Sequence, residues 1–168
     1  MLAVPTTDKS INGWPVCADK NDPAMAWSTI AYTNRRVLLA KDAAPILLYI
    51  GQWFNRFIAD IDAPPLAVWG WAYRKARQAD AWSDHASGTA IDLRSDKFPI
   101  GKTNMNILQR TRIRRLLKKL DGLVIWGGDY KDARSKDEMH FAIAPKVTAA
   151  QIKAWMVKNK VTADGIMH

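Results

Sequence analysis

The order of strand-like and helix-like segments constrains the fold of this chain most. Segments rich in β-branched and aromatic residues do not alternate regularly with helical patterns, which disfavours repeated βαβ units and a parallel sheet. The pattern instead predicts an α+β fold, a small antiparallel β-sheet with flanking helices. The strand segments are 66–74, 89–93, 123–127 and 139–144. Helices are expected from residue 42 to about 58, at 104–120 and at 148–158, and Thr148 and Gln151 form a capping-box pattern at the start of the last one.

Length and composition indicate one globular domain over residues 1–168, with its core at about 30–158. Hydrophobic side chains make up 48% of the 168 residues, which is enough for a core. Cys17 is the sole cysteine, which excludes an intramolecular disulfide and a cysteine-built zinc finger. No apolar run reaches the ~20 residues of a membrane span, and MLAVPTTDKS lacks the pattern of a secretory signal. The polar residues 161–168 are expected to fray.

Two of the three histidines stand beside carboxylates. His85 precedes Asp92 by seven positions, with a Ser-Gly turn signal and the start of a strand between them. His140 stands inside an apolar strand segment, shortly after Asp137 and Glu138. Two histidines and a carboxylate are the ligand set of a catalytic zinc site, and a nearby acid can act as its general base. The residues alone also allow a polar loop histidine and a hydrogen-bonded core histidine.

Four motifs resemble one family. Residues 83–92, SDHASGTAID, resemble the S-x-H-x-x-G-x-A-x-D signature of the VanY/VanX-type peptidases. These are zinc D-Ala-D-Ala carboxypeptidases, with L-alanyl-D-glutamate endopeptidases among the phage lysins. Residues 137–141, DEMHF, are similar to the second signature of the family. Residues 126–130, WGGDY, resemble the segment that precedes this signature in phage lysins. Residues 73–77, YRKAR, resemble the arginine-bearing strand end of the family. The resemblance spans about 65–144 and implies a DD-peptidase/hedgehog-like fold.

The resemblance implies a zinc site with an acid beside it. His85, Asp92 and His140 would bind Zn²⁺, and Mn²⁺ or Co²⁺ could occupy the same ligands in vitro. Asp137 would be the general base that takes a proton from the attacking water and passes it to the leaving amine. In a regular strand Glu138 would share a face with His140. Asp137 can act as the general base beside His140 only if the chain bends at residues 136–137. Glu138 stays the alternative general base.

The substrate side of the site is expected to carry an arginine. A planar guanidinium can stabilise an oxyanion or hold a substrate carboxylate. The resemblance matches Arg74 best and Arg77 second. Ser83 would line the substrate side. Trp82, three residues before His85, is a candidate wall of the substrate groove.

The net charge of +9 favours a polyanionic partner. Residues 110–119 contain six cationic side chains and no acidic one. This stretch is either a solvated helix face or a surface for electrostatic attachment to an anionic cell wall. No nucleic-acid-binding signature is present, so a nucleic-acid partner is not expected.

Together these features predict a monomeric zinc-dependent peptidase that cleaves peptidoglycan stem peptides, as an L-Ala-D-Glu endopeptidase or a D-Ala-D-Ala carboxypeptidase. The lack of a secretory signal favours a phage endolysin that is made in the host cytoplasm and reaches the wall after membrane permeabilisation. No separate wall-binding domain is expected within the 168 residues. The alternatives are a catalytically inactive wall-binding module that uses the basic surface and a metal-dependent nuclease.

Overall fold

The computed structural model describes residues 8–77 and 79–168. Residues 1–7, which belong to the N-terminal segment without a secretory-signal pattern, lie outside the described part. Within these described ranges, three helices and six strands follow one another, with two short 3₁₀ turns at Gly127–Asp129 and Ala133–Ser135. The elements are β1 (Met25–Thr29), β2 (Arg36–Ala40), α1 (Ala44–Phe57), β3 (Val68–Trp69), β4 (Ala90–Leu93), α2 (Ile107–Lys119), β5 (Val124–Trp126), β6 (His140–Ile143) and α3 (Ala149–Asn159).

The main sheet is antiparallel and has the strand order β3-β4-β6-β5, while β1 and β2 form a separate hairpin. Every residue of β4 and β6 is buried, because other elements cover both faces of these two strands. One cover is α1, whose Phe54 ring meets Phe141 of β6 edge to face at 6.2 Å. The arrangement confirms the predicted α+β fold with a small antiparallel sheet.

Capping side chains fix the starts of α2 and α3. The predicted box of α3 forms: the Gln151 N–H donates to Thr148 Oγ1 (3.3 Å) and the Thr148 N–H donates to Gln151 Oε1 (2.9 Å). Asn106 and Gln109 form the same box at α2. The first N–H groups of a helix have no partner within it, so such boxes define where it begins. Among the described residues, no helix is long and apolar enough to cross a membrane.

The strand predicted over 66–74 is much shorter, because β3 ends at Trp69. Beyond it the chain leaves the sheet: the Trp71 N–H donates to the Leu38 carbonyl (2.7 Å), and the Ala72 N–H donates to the His85 carbonyl (3.1 Å). Gly70 makes this passage possible, since a Cβ there would lie 2.4 Å from the Leu38 oxygen. The segment therefore joins β2 to the loop of His85.

The prediction that residues 161–168 fray is wrong, because this tail docks on α1. Val161 is buried, and it pairs with Met167 in an isolated bridge. Gly165, at φ +79°, lies so close to α1 that a Cβ would be 2.5 Å from the Tyr49 nitrogen. The Gln52 side-chain amide donates to the Gly165 carbonyl. The hydrophobic cluster accordingly includes Val161 at one end of the chain and Cys17 near the other.

Candidate active site

A cavity of about 350 Å³ gathers side chains from the loop before β4, from β4 itself and from the segment leading into β6. It is the place where both internal histidines meet. Seven of the eight site residues predicted from the sequence line it: Arg74, Arg77, Ser83, His85, Asp92, Asp137 and His140.

His85, Asp92 and His140 bring three ligand atoms together. His85 Nε2 lies 3.3 Å from His140 Nδ1 and 3.2 Å from Asp92 Oδ1, and His140 Nδ1 lies 2.8 Å from the same oxygen. Two ligand atoms on a tetrahedral zinc ion with bonds of about 2.0–2.1 Å stand about 3.3 Å apart. The three atoms thus form a triangle of nearly the size of one face of such a site. Their types and spacing fit a zinc ion.

The sheet and one tight loop create this triangle. Asp92 of β4 lies directly opposite His140 of β6, so the antiparallel register brings these two side chains together. His85 comes from the preceding loop, which Gly88 pins to β2: at φ +66°, a Cβ on Gly88 would lie 2.6 Å from the Ala40 nitrogen. The fold therefore needs glycine here to bring the loop histidine to the sheet.

Neighbouring groups set the tautomer of His85 and the ionisation of Asp92. His85 Nδ1 lies 2.6 Å from the Gly70 carbonyl, so Nδ1–H donates to it and Nε2 is left free to bind a metal. Burial alone would raise the pKa of Asp92, but the charges and hydrogen bonds of His85 and His140 hold it well below its usual range. Asp92 is thus a carboxylate, the form that binds a metal.

Asp137 lies in the same cavity with a carboxyl that lacks a full set of partners. Its Oδ1 is buried and has no hydrogen-bond partner among the described residues. Burial raises the pKa of Asp137 to about 6; His140, His85 and Arg77 oppose this rise, whereas the charge of Asp92 adds to it. A carboxyl with this pKa can accept and release a proton near neutral pH.

Glu138, the rival acid, points elsewhere. It is buried, and its Oε2 accepts the backbone N–H groups of Asn104 and Met105, both at 2.7 Å. Its Oε1 lies 3.3 Å from Arg110 Nε. Glu138 therefore anchors the chain before α2 and does not line the cavity.

A bend separates the two acids. The His140 N–H donates to the Asp137 carbonyl (3.1 Å), which turns the chain just before β6. The Asp137 N–H donates to the Gly127 carbonyl (3.0 Å), and a Cβ at Gly127 would lie only 2.4 Å from the Asp137 oxygen. The glycine of the Trp-Gly-Gly segment thus allows the close approach that places Asp137.

The predicted substrate residues fall into different positions. Arg74 and Arg77 line the cavity, and Arg74 Nη1 donates to the Lys75 carbonyl at 3.3 Å. Ser83 also lines it, but its Oγ accepts the His85 N–H (3.2 Å), so the hydroxyl supports the metal-ligand loop.

Trp82 is not among the described residues that line the cavity. Its ring stacks on Tyr73, with centroids 4.6 Å apart, and its indole N–H donates to Asp8 Oδ2 at 2.9 Å. These contacts hold the ring against Tyr73 and Asp8, and a groove wall at Trp82 stays a prediction.

Tyr130 is a cavity residue for which sequence reasoning gave no role. Its ring centroid lies 6.4 Å from that of His140. Burial, with the negative charges of Asp84, Asp137 and Asp92, raises the pKa of Tyr130 well above its usual value. The hydroxyl is therefore a neutral donor. Its place in the Trp-Gly-Gly-Asp-Tyr motif was the only available signal.

A buried polar network also escaped sequence reasoning. The Asn12 N–H donates to Asp84 Oδ1 (2.8 Å), and its side-chain amide donates to Thr89 Oγ1 (2.8 Å) and to the Ile143 carbonyl (3.1 Å). These bonds tie the loop of His85 to β6. Nothing in the local sequence around Asn12 indicates such distant partners.

Three arginines among the six cations of α2 contact other parts of the protein. Arg114 forms a double hydrogen bond with Asp129, and Arg112 donates to the Phe57 carbonyl at 2.6 Å. Arg110 lies beside Glu138, as described above. Much of this basic stretch thus connects α2 to its neighbours.

Comparison with known proteins gives one family. Residues 76–143 match the family described as D-alanyl-D-alanine carboxypeptidase. The matched range contains the three candidate ligands and Asp137, and the finding supports the VanY-type resemblance. No curated protein and no solved structure matches the chain.

Proposed function

We propose that this chain, whose residues 76–143 support its membership of the VanY-type peptidase family, is a zinc-dependent enzyme that cleaves peptidoglycan stem peptides. The family match by itself supports a peptidase that acts on peptidoglycan. The zinc dependence rests on one observation: the triangle of donor atoms from His85, Asp92 and His140 stands in the same cavity as the carboxyl of Asp137.

Zinc held by these three side chains would supply the Lewis acidity that polarises a peptide carbonyl. Asp137 moves the proton. Its carboxylate takes a proton from the attacking water and returns it to the amine that leaves. A pKa of about 6 suits both steps, because neither the protonated nor the ionised form is strongly favoured near neutral pH.

The remaining cavity residues recognise the substrate. The guanidinium groups of Arg74 and Arg77 attract a substrate carboxylate or the developing oxyanion. The protonated hydroxyl of Tyr130 donates a hydrogen bond in the same cavity. Ser83 acts mainly through the loop that it supports.

The proposal includes a biological setting, a phage endolysin that acts as a monomer with one catalytic domain over residues 1–168. The net charge of +9 supports action on an anionic wall. Purified protein added from outside should lyse cells whose outer barriers have been permeabilised. Light scattering coupled to size exclusion should give the mass of one chain, 18.9 kDa.

The decisive experiment compares the wild type with His140→Ala and Asp137→Asn. Metal content is measured together with the peptides released from purified cell walls. We expect one equivalent of zinc and released peptides in the wild type, neither in His140→Ala, and bound zinc without release in Asp137→Asn. A metal-free wild type, or full activity of Asp137→Asn, would overturn the mechanism.

The same experiment separates the alternatives. Mass spectrometry of the released peptides distinguishes cleavage after L-Ala from loss of the terminal D-Ala. A wild type that binds walls without releasing any peptide would support the inactive binding module. Cleavage of DNA by the zinc-loaded wild type, lost in His140→Ala, would instead support a nuclease.

A further inference from the structure

A second concave surface, which we call the aromatic groove, lies between α1, the turn from β1 to β2 and the C-terminal tail. It consists of two adjoining cavities of about 490 and 510 Å³, which share Tyr32 and Ile166. Of the described residues, none lines both this groove and the active-site cavity. The groove is therefore a separate site.

Tyr32 is the third residue of the tight turn between β1 and β2, which the Thr33 N–H closes by donating to the Ile30 carbonyl (3.2 Å). Its side chain is 81% exposed, so the ring gains little from burial. Its backbone has φ +62°, a left-handed conformation that is unfavourable for residues other than glycine. The turn accounts for this backbone conformation, and it leaves an exposed aromatic ring between two cavities, where the ring can contact a ligand.

The walls around Tyr32 combine aromatic faces with amide groups. Trp53 and Phe57 line the first cavity, and their ring centroids are 4.8 Å apart. Gln52 and Asn55 also line it. Gln52 holds the tail through Gly165, as described above, and Asn55 Oδ1 accepts the Ile61 N–H at 2.9 Å. Their amides are thus held in place at the surface of the groove.

The first cavity is electropositive. Arg56 lines it and is exposed, with its guanidinium 5.2 Å from the centre of the Phe57 ring. Lys119 Nζ lies 6.0 Å from the centre of the Tyr49 ring, which forms another part of the wall. No acidic side chain among the described residues lines this first cavity, whereas Asp164 lines the second one. A ligand with hydroxyl, amide and carboxylate groups would meet complementary charge here.

We propose that the aromatic groove binds the glycan strand of peptidoglycan, an inference that rests on the proposed function for the identity of the polymer. Sugar rings offer apolar C–H faces that pack on aromatic rings, and their hydroxyl and acetamido groups pair with amides. Arg56 can pair with the lactyl carboxylates that are free where a sugar carries no stem peptide, and with the carboxylates of the stem peptides themselves. Two adjoining cavities fit successive sugars of a linear chain better than one compact ligand.

The test uses glycan strands freed of their stem peptides by an amidase, so that the probe offers the active site no peptide bond. Binding to the wild type is measured by calorimetry and by tryptophan fluorescence. Tyr32→Gly removes the ring and eases the left-handed backbone, so lost binding cannot come from a strained turn. We expect roughly tenfold weaker binding for Tyr32→Gly and for Arg56→Gln.

Trp27→Ala is the matched control, because Trp27 is 57% exposed on the same hairpin and does not line the groove. It should bind the strands as the wild type does. The groove proposal is overturned if the wild type does not bind stripped strands, or if Tyr32→Gly binds them with unchanged affinity.

A parallel assay keeps this proposal apart from the peptidase proposal. Tyr32→Gly should cleave a soluble stem peptide at the wild-type rate and whole walls more slowly. If the wild type binds glycan strands but cleaves no stem peptide, the groove proposal is supported and the peptidase proposal is refuted. Stem-peptide cleavage without strand binding would refute the groove alone.

Discussion

Asp137→Asn should stabilise the metal-free protein at neutral pH, because the native state holds this carboxyl in an unfavourable place. The pKa of Asp137 is about 6 in the native state, against an ordinary value of 3.8. The two values differ by about 2, and each unit corresponds to ~1.4 kcal/mol, which gives about 3 kcal/mol. Asparagine resembles the neutral acid in shape and carries no charge, so it escapes this penalty.

The sign follows from proton binding. The native state binds a proton at Asp137 more tightly than the unfolded chain does, so ionisation costs native stability. The cost is absent below about pH 4, grows between pH 4 and 6, and is complete above pH 6. Urea denaturation in a chelator, at pH 4 and at pH 7, should therefore show an advantage of Asp137→Asn that is larger at pH 7 by up to about 3 kcal/mol.

Glu138→Gln is the matched control and should behave in the opposite way. Glu138 accepts two backbone N–H groups and contacts Arg110, so its replacement weakens charge-assisted bonds and should lower stability at pH 7 by about 2–4 kcal/mol. The reasoning about Asp137 is refuted if Asp137→Asn is less stable than the wild type at pH 7, or if its advantage does not change with pH.

Further variants test how the site is built. Gly127→Ala should reduce peptide release at least tenfold with zinc retained, because the added Cβ would displace Asp137; unchanged release would contradict this placement. Asn12→Ala should lower the free energy of unfolding by about 2–3 kcal/mol in urea titrations, because Thr89 Oγ1 and the Ile143 carbonyl lose the bonds from the Asn12 side-chain amide. It should also weaken zinc binding through the loop of His85, and an unchanged affinity would show that this loop holds its shape alone. Tyr130→Phe should retain zinc and lower kcat, and equal kcat values would exclude its hydroxyl from the reaction.

Local sequence was sufficient where neighbouring residues supply the whole interaction. The box at Thr148 and Gln151 formed as predicted, since both partners lie within one helical turn. The strand segments that carry Asp92 and His140 were also predicted within a residue or so. Hydrophobic patterning over such short stretches reflects burial in the sheet and survives in the folded protein.

Contacts between distant segments decided the rest. Asp137 and Glu138 are chemically alike and adjacent, and only the close approach of Gly127 and the N–H groups before α2 send them to different places. Trp82 turns toward Tyr73 and Asp8, partners that no local pattern reveals.

The sequence by itself determined the chemistry available to this protein: which side chains can bind a metal, which can move a proton, and the α+β class that holds them. The tertiary structure decided which of these groups share a cavity. It also decided that residues 161–168 pack on α1 and that Tyr32 lines the aromatic groove. The physical reason is that burial and long-range hydrogen bonds depend on partners far apart in the chain, and these partners set both the direction of a side chain and its pKa.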